Sequence, residues 1–306
     1  MIFDAHCDVL YKMWKNPALS FEKSADLHVT FAGLKKANVK VQCFAIFIPP
    51  EVPSEQKFNV ALEMIDIFYR KVLPMHPELK LVRTSQEINS LKHDEIGIML
   101  TLEGCDCIGN DLIKLRTLFR LGVRSVGLTW NYANAVADGA LEKRNGGLSN
   151  FGIETVKLIN EAYSWTDVSH LSEQSFWDTI ELAKFPIASH SNARKLCNHP
   201  RNLTDEQIKA LIKRNAPIGI TFVPMFLSEG KSATVRDVLN QIEYICSLGG
   251  ENNIGFGSDF DGIDETVIGL ENVYQYEYFS NELLKLYKDD IVRGFLFNNF
   301  FRRLPI

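Results

Sequence analysis

Histidines and carboxylates close several short apolar runs of this chain. The triplet HCD at residues 6–8 ends the run IFDAHCD near the N-terminus, and Glu103 ends the run IMLTLEG. His170 and His190 close two further runs, TDVSH and PIASH. Imidazoles and carboxylates collected at the ends of strands are the components of a hydrolytic site that uses two metal ions.

The spacing of these residues predicts how they would share two ions. Residues two apart on a strand point to the same side, roughly 6.5 Å apart, so His6 and Asp8 can bind one ion. Neighbouring strands lie roughly 4.8 Å apart, so His170 and His190 can bind a second ion together. Glu103 lies between the two pairs, where a carboxylate can bridge ions that are about 3.5–4 Å apart.

The charges of the site are also consistent with two divalent cations. Asp8, Glu103 and a bridging hydroxide, together with Asp259 at the end of the run NIGFGSD, reduce the charge of the cations to about zero if the histidines are neutral. Imidazole and carboxylate ligands without thiolate favour zinc, with manganese or cobalt as substitutes. The sequence therefore predicts two zinc ions per chain.

Each residue alone is weak support for this site. A single histidine at a strand end is more often a hydrogen-bonded core or loop residue, and Asp259 could simply cap the turn before Asp261. The joint placement is more informative, because three of only seven histidines fall at strand ends. The remaining histidines are predicted to lie in loops or beside helices: His28, His76, His93 and His199.

Near-continuous apolar runs recur along the chain. Continuous rather than alternating hydrophobicity is typical of parallel strands that are covered on both faces. The predicted strands are residues 2–6, 39–48, 95–104, 123–129, 166–170, 186–190, 217–223 and 253–259.

Helical segments with a period of about 3.6 residues lie between these strands. Thr204 followed by Gln207 predicts a capping box, and Asn110 or Asn150 could cap two other helices. The predicted helical segments are residues 58–73, 110–122, 150–163, 172–184, 204–215, 233–250 and 281–304.

Eight strands that alternate with helices in 306 residues are typical of an α/β (β/α)8 barrel of the TIM type. No linker and no internal repeat interrupts residues 1–306, so we predict a single domain. A doubly wound open sheet is the alternative, but it needs a Gly-rich turn after its first strand, where this chain reads HCDVLYK. In the barrel, the C-terminal ends of the strands meet at one mouth, which would bring the candidate ligands together.

The overall composition argues against two classes of partner. The net charge of −5, the pI near 5.9 and the lack of a Lys/Arg cluster argue against nucleic-acid binding. No apolar stretch reaches the ~18 residues that would span a membrane. Met1 leads directly into the first strand without a basic or apolar leader, so a cytoplasmic location is expected.

The six cysteines are expected to be free thiols, because the chain has no CxxC pair and no zinc-finger spacing. Cys105 and Cys107 could instead be soft metal ligands, although they follow Glu103 in a predicted loop without a second cysteine pair. Packing or loop positions are the preferred interpretation.

Several sequence blocks resemble those of the membrane (renal) dipeptidases, zinc metallopeptidases of the amidohydrolase superfamily. The blocks follow the family's order nearly from end to end, and as a set they are highly specific. The resemblance implies a (β/α)8 barrel with a binuclear zinc centre that hydrolyses dipeptides, often with a D-residue at the C-terminal position. The blocks are DAHCDVL (4–10), TLEG (101–104), GLSNFG (147–152), DVSHLSE (167–173), ASHSNARKLCNHPRNL (188–203) and GFGSDFDG (255–262).

The resemblance also implies roles for individual residues. Asp259 would be the proton-transfer acid and base of catalysis, and Glu103 would bridge the two metal ions. Arg201, which the residues alone would leave as a surface side chain, would hold the substrate and its tetrahedral intermediate. The zinc ligands would be His6 with Asp8 at one ion and His170 with His190 at the other.

One position departs from the family pattern. The mammalian family has a histidine, in the motif LTH, that contacts the substrate carbonyl oxygen, whereas this chain reads LTW, with Trp130 followed by Asn131 and Tyr132. Because indole cannot carry a proton as imidazole does, we expect Trp130 to form an apolar wall beside the substrate. Asn131 or Tyr132 could donate a hydrogen bond to the oxyanion, the zinc ions could suffice, or the activity could be altered.

We therefore predict a zinc dipeptidase that acts on small dipeptides through attack of a metal-bridging hydroxide on the peptide carbonyl carbon. The family's lipid anchor and intersubunit cystine have no counterpart in this sequence, although a homodimer is compatible with it. One alternative is another amidohydrolase reaction, on lactones, N-acyl amino acids or phosphoesters. The other is a catalytically impaired barrel that binds metal or peptide.

Overall fold

The computed structural model describes residues 1–230 and 232–305 of the chain. Strands that pair in parallel form the centre of the fold, and helices surround them. The strands are β1 (Ile2–Asp4), β2 (Val39–Phe47), β3 (Leu79–Leu81), β4 (Ile96–Glu103), β5 (Val123–Gly127), β6 (Trp165–Asp167), β7 (Pro186–Ile187), β8 (Ile218–Ile220) and β9 (Ile254–Phe256).

Eight of these strands follow one another around a barrel in the order β7-β6-β5-β4-β2-β1-β9-β8. A parallel bridge between Ala188, just after β7, and Ile218 of β8 joins the two ends of this path. The barrel is therefore nearly closed, and the predicted TIM-type architecture is confirmed. The sequence reading missed β3, which pairs with the first half of β4, because its three residues LKL form no apolar run.

All eight predicted strands are shorter in the structure than in the sequence reading, so His6 and Asp259 follow their strands rather than end them, and β6 and β7 show the cause most clearly. β6 ends at Asp167 and β7 at Ile187, so His170 and His190 lie in the turns that follow. Oδ1 of Asp167 accepts hydrogen bonds from the backbone N–H groups of Ser169 and Ser189, both at 3.0 Å. These side-chain hydrogen bonds replace the ladder and end both strands early.

Helices cover the outside of the barrel. The predicted capping box is confirmed: Thr204 Oγ1 accepts from Gln207 N, and the Gln207 side chain accepts from Thr204 N. The helices are α1 (Val9–Lys15), α2 (Phe31–Lys36), α3 (Lys57–Ile67), α4 (Ser85–Asn89), α5 (Leu112–Arg120), α6 (Asn150–Glu161), α7 (Glu173–Leu182), α8 (Asp205–Lys213), α9 (Pro224–Leu227), α10 (Val235–Ser247), α11 (Tyr276–Leu284), α12 (Asp289–Arg293) and α13 (Asn299–Phe301).

Both predicted asparagine caps are wrong by one residue. Asn150 is already the first residue of α6, and the cap is Ser149, whose Oγ accepts from Gly152 N at 2.9 Å. Asp111 rather than Asn110 caps α5. In each helix the capping residue has an extended backbone and a short side chain whose oxygen reaches the free N–H groups of the first turn.

The C-terminal segment closes the N-terminal end of the barrel. Phe300 of α13 stacks on Phe3 of β1 with ring centroids 5.4 Å apart, and Trp165 Nε1 donates to the carbonyl oxygen of Arg303 at 3.0 Å. A Cβ at Gly255 of β9 would overlap the Phe300 ring, so this close approach requires glycine. With aromatic rings filling this end, the functional groups collect at the opposite, C-terminal end of the strands.

All six cysteines are free, as predicted, and five of them are buried. Within residues 1–230 and 232–305, no helix has the length and apolar character needed to cross a membrane.

Candidate active site

The five predicted metal ligands lie together at the C-terminal end of the barrel. Glu103 is the last residue of β4, and His6 and Asp8 follow β1. His170 and His190 lie in the turns after β6 and β7. All five side chains are buried.

Glu103 separates these ligands into two groups. Its Oε2 lies 3.5 Å from Nε2 of His6, which is itself 3.2 Å from Oδ2 of Asp8. Its Oε1 lies 2.9 Å from Nε2 of His170 and 3.8 Å from Nε2 of His190. Each carboxylate oxygen of Glu103 therefore faces one of the two ligand pairs that the sequence predicts.

In the first group, two ligand atoms are buried without a hydrogen-bond partner in the described part of the chain. They are Nε2 of His6 and Oδ1 of Asp8. Burial alone would lower the pKa of His6, but the charges of Asp8 and Glu103 raise that pKa well above its usual range. The surroundings of His6 thus favour positive charge, and the donor set fits a divalent cation that would supply this charge.

In the second group, neighbouring residues fix the tautomers of both histidines. Nδ1–H of His170 donates to Oδ1 of Asn131 at 2.8 Å. Nδ1–H of His190 donates to Oγ of Ser189 at 2.7 Å, and this hydroxyl donates in turn to Asp167. Both Nε2 atoms then present lone pairs, and they lie 2.9 Å apart. Two converging lone pairs fit a shared metal ion, since imidazole binds a metal through its unprotonated nitrogen.

Both histidines of this group are neutral. Burial, followed by the charge of Arg201, lowers the pKa of His170 to about 3. Burial and the nearby His6 lower the pKa of His190 well below its usual range. Neutral imidazoles together with carboxylates are a ligand set that zinc accepts.

The alternative of cysteine ligands has no geometric support. Cys105 and Cys107 are buried, and Sγ of Cys105 donates to the carbonyl oxygen of Gly127 at 3.6 Å. Among the described residues, two groups of three place their ligand atoms within 4.8 Å of one another, His6 with Glu103 and His190 and His6 with Asp8 and Asp259, and neither contains a cysteine.

Asp4 is a residue of this region that the sequence reading missed. Its fully buried carboxylate accepts from His6 N at 3.2 Å, from Ser258 N at 2.9 Å and from the Tyr276 hydroxyl at 2.9 Å. These bonds fix the end of β1 to the end of β9. They therefore also fix the positions of the segments that carry His6 and Asp259. The alternation of Asp4, His6 and Asp8 was the only signal for Asp4 in the sequence.

Asp259 lies beside the first ligand group, with Oδ1 3.8 Å from Nε2 of His6. Burial is the largest cause that raises the pKa of Asp259 to about 8, and the carboxylates of Asp8 and Glu103 add to it. This carboxyl group can therefore hold a proton near neutral pH. Asp259 and His170 have positive φ angles, 65° and 67°, which are uncommon for residues with a side chain and cluster at functional sites.

The loop that carries Asp259 is anchored by a second acid. The buried carboxylate of Asp261 accepts from the backbone N–H groups of His28 and Val29, at 2.8 and 3.0 Å. The Asp261 N–H donates in return to Nδ1 of His28 at 3.0 Å. His28 lies in a loop, as predicted, and this exchange of hydrogen bonds ties that loop to the segment with Asp259.

Arg201 is buried, so the expectation of a surface side chain, drawn from the residues without the family resemblance, is wrong. Its Nη2 donates to the carbonyl oxygen of His190 at 3.3 Å, and its guanidinium lies 5.5 Å from the Phe226 ring. Its Nε has no hydrogen-bond partner in the described residues. Burial lowers the pKa of Arg201 to about 10, so the group still carries its charge at neutral pH.

A cavity of 520 Å³ adjoins the ligand groups. Its lining includes Asp8, Glu103, His170 and Asp259. This volume lies within the range of about 300–1,000 Å³ that is common for small-molecule sites. The arrangement can therefore bring a small ligand against both ligand groups and Asp259.

Trp130, Asn131 and Tyr132, where the sequence differs from the family pattern, lie in different surroundings. Trp130 and Asn131 line the cavity, and the amide oxygen of Asn131 is engaged by His170. Tyr132 is 55% exposed, and its ring packs edge-on against Trp130 at 6.2 Å. In the described part of the chain, neither Tyr132 nor Arg201 belongs to the cavity lining.

Comparisons of sequence point to one family. The family model described as membrane dipeptidase, peptidase family M19, matches residues 1–305. An uncharacterised dipeptidase of Schizosaccharomyces pombe is 32% identical over 274 residues, which are 84% of this chain and 66% of that protein. A protein of Klebsiella pneumoniae from the pqqA 5′ region is 34% identical over 197 residues, which are 60% of this chain and 73% of that protein. The match thus spans just under two thirds of the Schizosaccharomyces pombe protein.

Two solved structures share the fold over almost their whole length. Dipeptidase AC, a metallo peptidase of family M19, has a TM-score of 0.92 and 26% identity, with 99% of this chain and 97% of that chain covered. A metallo peptidase from Rhodobacter sphaeroides, liganded with a phosphinate mimic of the dipeptide L-Ala-D-Ala, has a TM-score of 0.93 and 25% identity, with 99% and 98% covered.

Proposed function

Because the chain belongs to the membrane dipeptidase family, peptidase family M19, we propose that it is a dinuclear zinc dipeptidase that also accepts a D-residue at the C-terminal position of the dipeptide. Membership of this family supports the predictions of a metallopeptidase and of a hydrolase of peptide bonds. The main support for a dinuclear centre is that one carboxylate oxygen of Glu103 faces His6 and the other faces His170.

Two groups of residues would hold the metal ions. His6 with Asp8 would hold one ion, His170 with His190 the other, and Glu103 would contact both. When bound, two such cations lower the pKa of water to give a nucleophile at neutral pH and polarise the substrate carbonyl. The cavity of 520 Å³ beside these ligands has room for a substrate of dipeptide size.

Asp259 would move the proton that hydrolysis requires. The reaction breaks the C–N bond, forms a C–O bond from water, and needs a proton on the leaving nitrogen. The carboxyl of Asp259 lines the cavity, and burial raises its pKa to about 8, so its Oδ1 can take up a proton and pass it to the amine.

Arg201 and the residues around Trp130 would orient the substrate. Arg201 does not line the cavity, but its buried positive charge is close enough to interact with the charges of Asp259 and Glu103, so it can stabilise the negative charge of the tetrahedral intermediate. Trp130 lines the cavity as an apolar wall. The Nδ2 group of Asn131, which lines the cavity, remains the candidate donor to the oxyanion, whereas Tyr132 is exposed and lies outside the cavity lining in the described part of the chain. Bound zinc would supply the main electrophile.

The proposal is tested with a substrate panel and elemental analysis. The zinc-loaded protein should hydrolyse L-Ala-L-Ala and L-Ala-D-Ala and should contain two zinc ions per chain. N-acetylated dipeptides serve as the matched control, since a dipeptidase should discriminate against a blocked amine. Turnover of N-acetylated dipeptides or lactones without turnover of free dipeptides would contradict the proposal and favour another amidohydrolase reaction.

A further inference from the structure

One side of the cavity is a continuous aromatic surface. Tyr11, Phe47 and Trp130 form it, and we refer to these three residues as the aromatic wall. The ring centroids of Tyr11 and Phe47 lie 5.4 Å apart, as do those of Phe47 and Trp130. All three residues line the cavity and are only partly buried, so apolar ring surface faces the substrate space.

The barrel order places the Trp130 end of this wall away from the acid/base residue, whereas Tyr11, at the other end, lies in α1, which follows β1, the neighbour of β9. Trp130 follows β5, and Phe47 ends β2 as the register partner of Glu103. Asp259 follows β9, which lies diametrically across the barrel from β5 in the strand order. Between the two sides lies Glu103, which faces both ligand pairs.

This separation orients a dipeptide in the cavity. In hydrolysis the amine that leaves belongs to the C-terminal residue, and under the proposed function this nitrogen receives its proton from Asp259. The C-terminal residue must then lie on the β9 side of the cavity. The carbonyl group that is attacked belongs to the N-terminal residue, whose side chain extends toward the β5 side, where Trp130 and Phe47 form their part of the aromatic wall.

We propose that the aromatic wall makes the enzyme selective for dipeptides whose N-terminal residue has a bulky apolar side chain, such as Phe, Leu or Met. The inference rests on the proposed function, because it uses the role of Asp259 to orient the substrate. A large apolar side chain that packs against aromatic rings is removed from water, and this favours binding. We expect the gain to raise kcat/KM by about tenfold or more over a dipeptide with alanine at that position.

The test compares three all-L dipeptides by kcat/KM. Phe-Ala should exceed Ala-Ala by about tenfold or more, and Ala-Phe should show no such gain over Ala-Ala. Phe47→Ala and Trp130→Ala should each reduce the ratio of Phe-Ala to Ala-Ala. Tyr278→Ala, which removes a surface aromatic ring on α11, is the matched control and should leave the ratio unchanged. The ratio of the kcat/KM values of two substrates, measured on the same preparation, does not depend on the fraction of active protein.

A binding measurement separates this inference from the proposed function. Calorimetric titration of the zinc-loaded Asp259→Asn protein should give tighter binding of Phe-Ala than of Ala-Phe, and Trp130→Ala in that background should remove the difference. Equal affinities, or tighter binding of Ala-Phe, would overturn the role of the wall even if no dipeptide is hydrolysed. Hydrolysis of all three dipeptides at equal rates would overturn it while leaving the dipeptidase function intact.

Discussion

A substitution at Asn131 can distinguish between two roles of this residue, donation of a hydrogen bond to the oxyanion and orientation of His170. The sequence suggested that Asn131 could donate a hydrogen bond to the oxyanion. In the structure its amide oxygen accepts from Nδ1–H of His170 at 2.8 Å. That contact holds His170 in the tautomer whose Nε2 faces Glu103 at 2.9 Å. We therefore predict that Asn131→Ala weakens metal binding at the second ligand group.

The size of the effect follows from this one hydrogen bond. The substitution leaves the Nδ1–H of a buried histidine without its partner, which costs about 1–3 kcal/mol. Loss of the partner of a metal-binding histidine commonly lowers metal affinity by about 10- to 100-fold. A tenfold change corresponds to about 1.4 kcal/mol, so the two magnitudes agree. Loss of an oxyanion donor would instead raise the barrier by about 2.7–4 kcal/mol with metal affinity unchanged.

The assay titrates metal-free protein with zinc against a competing chelator and then measures kcat with zinc in excess. We expect weaker binding of one zinc ion in Asn131→Ala and a largely restored kcat when zinc is in excess. Tyr132→Phe is the matched control, because Tyr132 is 55% exposed. Unchanged zinc affinity with a lower kcat would refute the orienting role and would favour oxyanion donation by Nδ2.

Other substitutions test the remaining parts of the site. Glu103→Ala should deplete both metal ions and abolish activity, whereas His190→Ala should weaken mainly one; elemental analysis that finds two zinc ions in Glu103→Ala would contradict the bridge. Asp259→Asn should keep both ions and lower kcat by about 10²-fold or more, and wild-type turnover in that variant would exclude Asp259 from proton transfer. Removal of zinc by a chelator should lower the melting temperature, because a ligand present at 100 times its Kd stabilises the folded state by about 2.7 kcal/mol. An unchanged melting temperature after metal removal, read by calorimetry, would argue against a metal centre in this fold.

The barrel could be predicted from the sequence because its strands are apolar on both faces. Long runs such as residues 39–47 and 96–103 are almost wholly buried and carry a clear signal. Strand β3 has only three residues and an exposed Lys80, so neither its length nor its pattern separates it from a loop. The ends of β6 and β7 could not be predicted either, since they depend on hydrogen bonds that the Asp167 carboxylate accepts from the backbone N–H groups of Ser169 and Ser189.

The ligands could be predicted for a different reason, which is that barrel topology converts strand order into proximity. His6, Glu103 and His170 are far apart in sequence and meet only because parallel strands end at one face. The position of Arg201 could not be predicted in this way, because Arg201 lies in an irregular segment after β7 and its burial depends on tertiary packing around Phe226. Asp4 escaped notice because a carboxylate inside a strand has no local signature of its partners Ser258 and Tyr276.

The two histidines of the second ligand group are supported in unequal ways. His170 depends on Asn131, a partly buried residue of the loop after β5. His190 depends on Ser189, whose hydroxyl donates to the carboxylate of Asp167. Asp167 also accepts from the backbone of both turns that carry these histidines, so one carboxylate at the end of β6 fixes the two turns relative to each other. The blocks DVSH and ASH therefore contain their own supporting residues, and a substitution at Asp167 would disturb both histidines at once, whereas Asn131 acts on His170 alone.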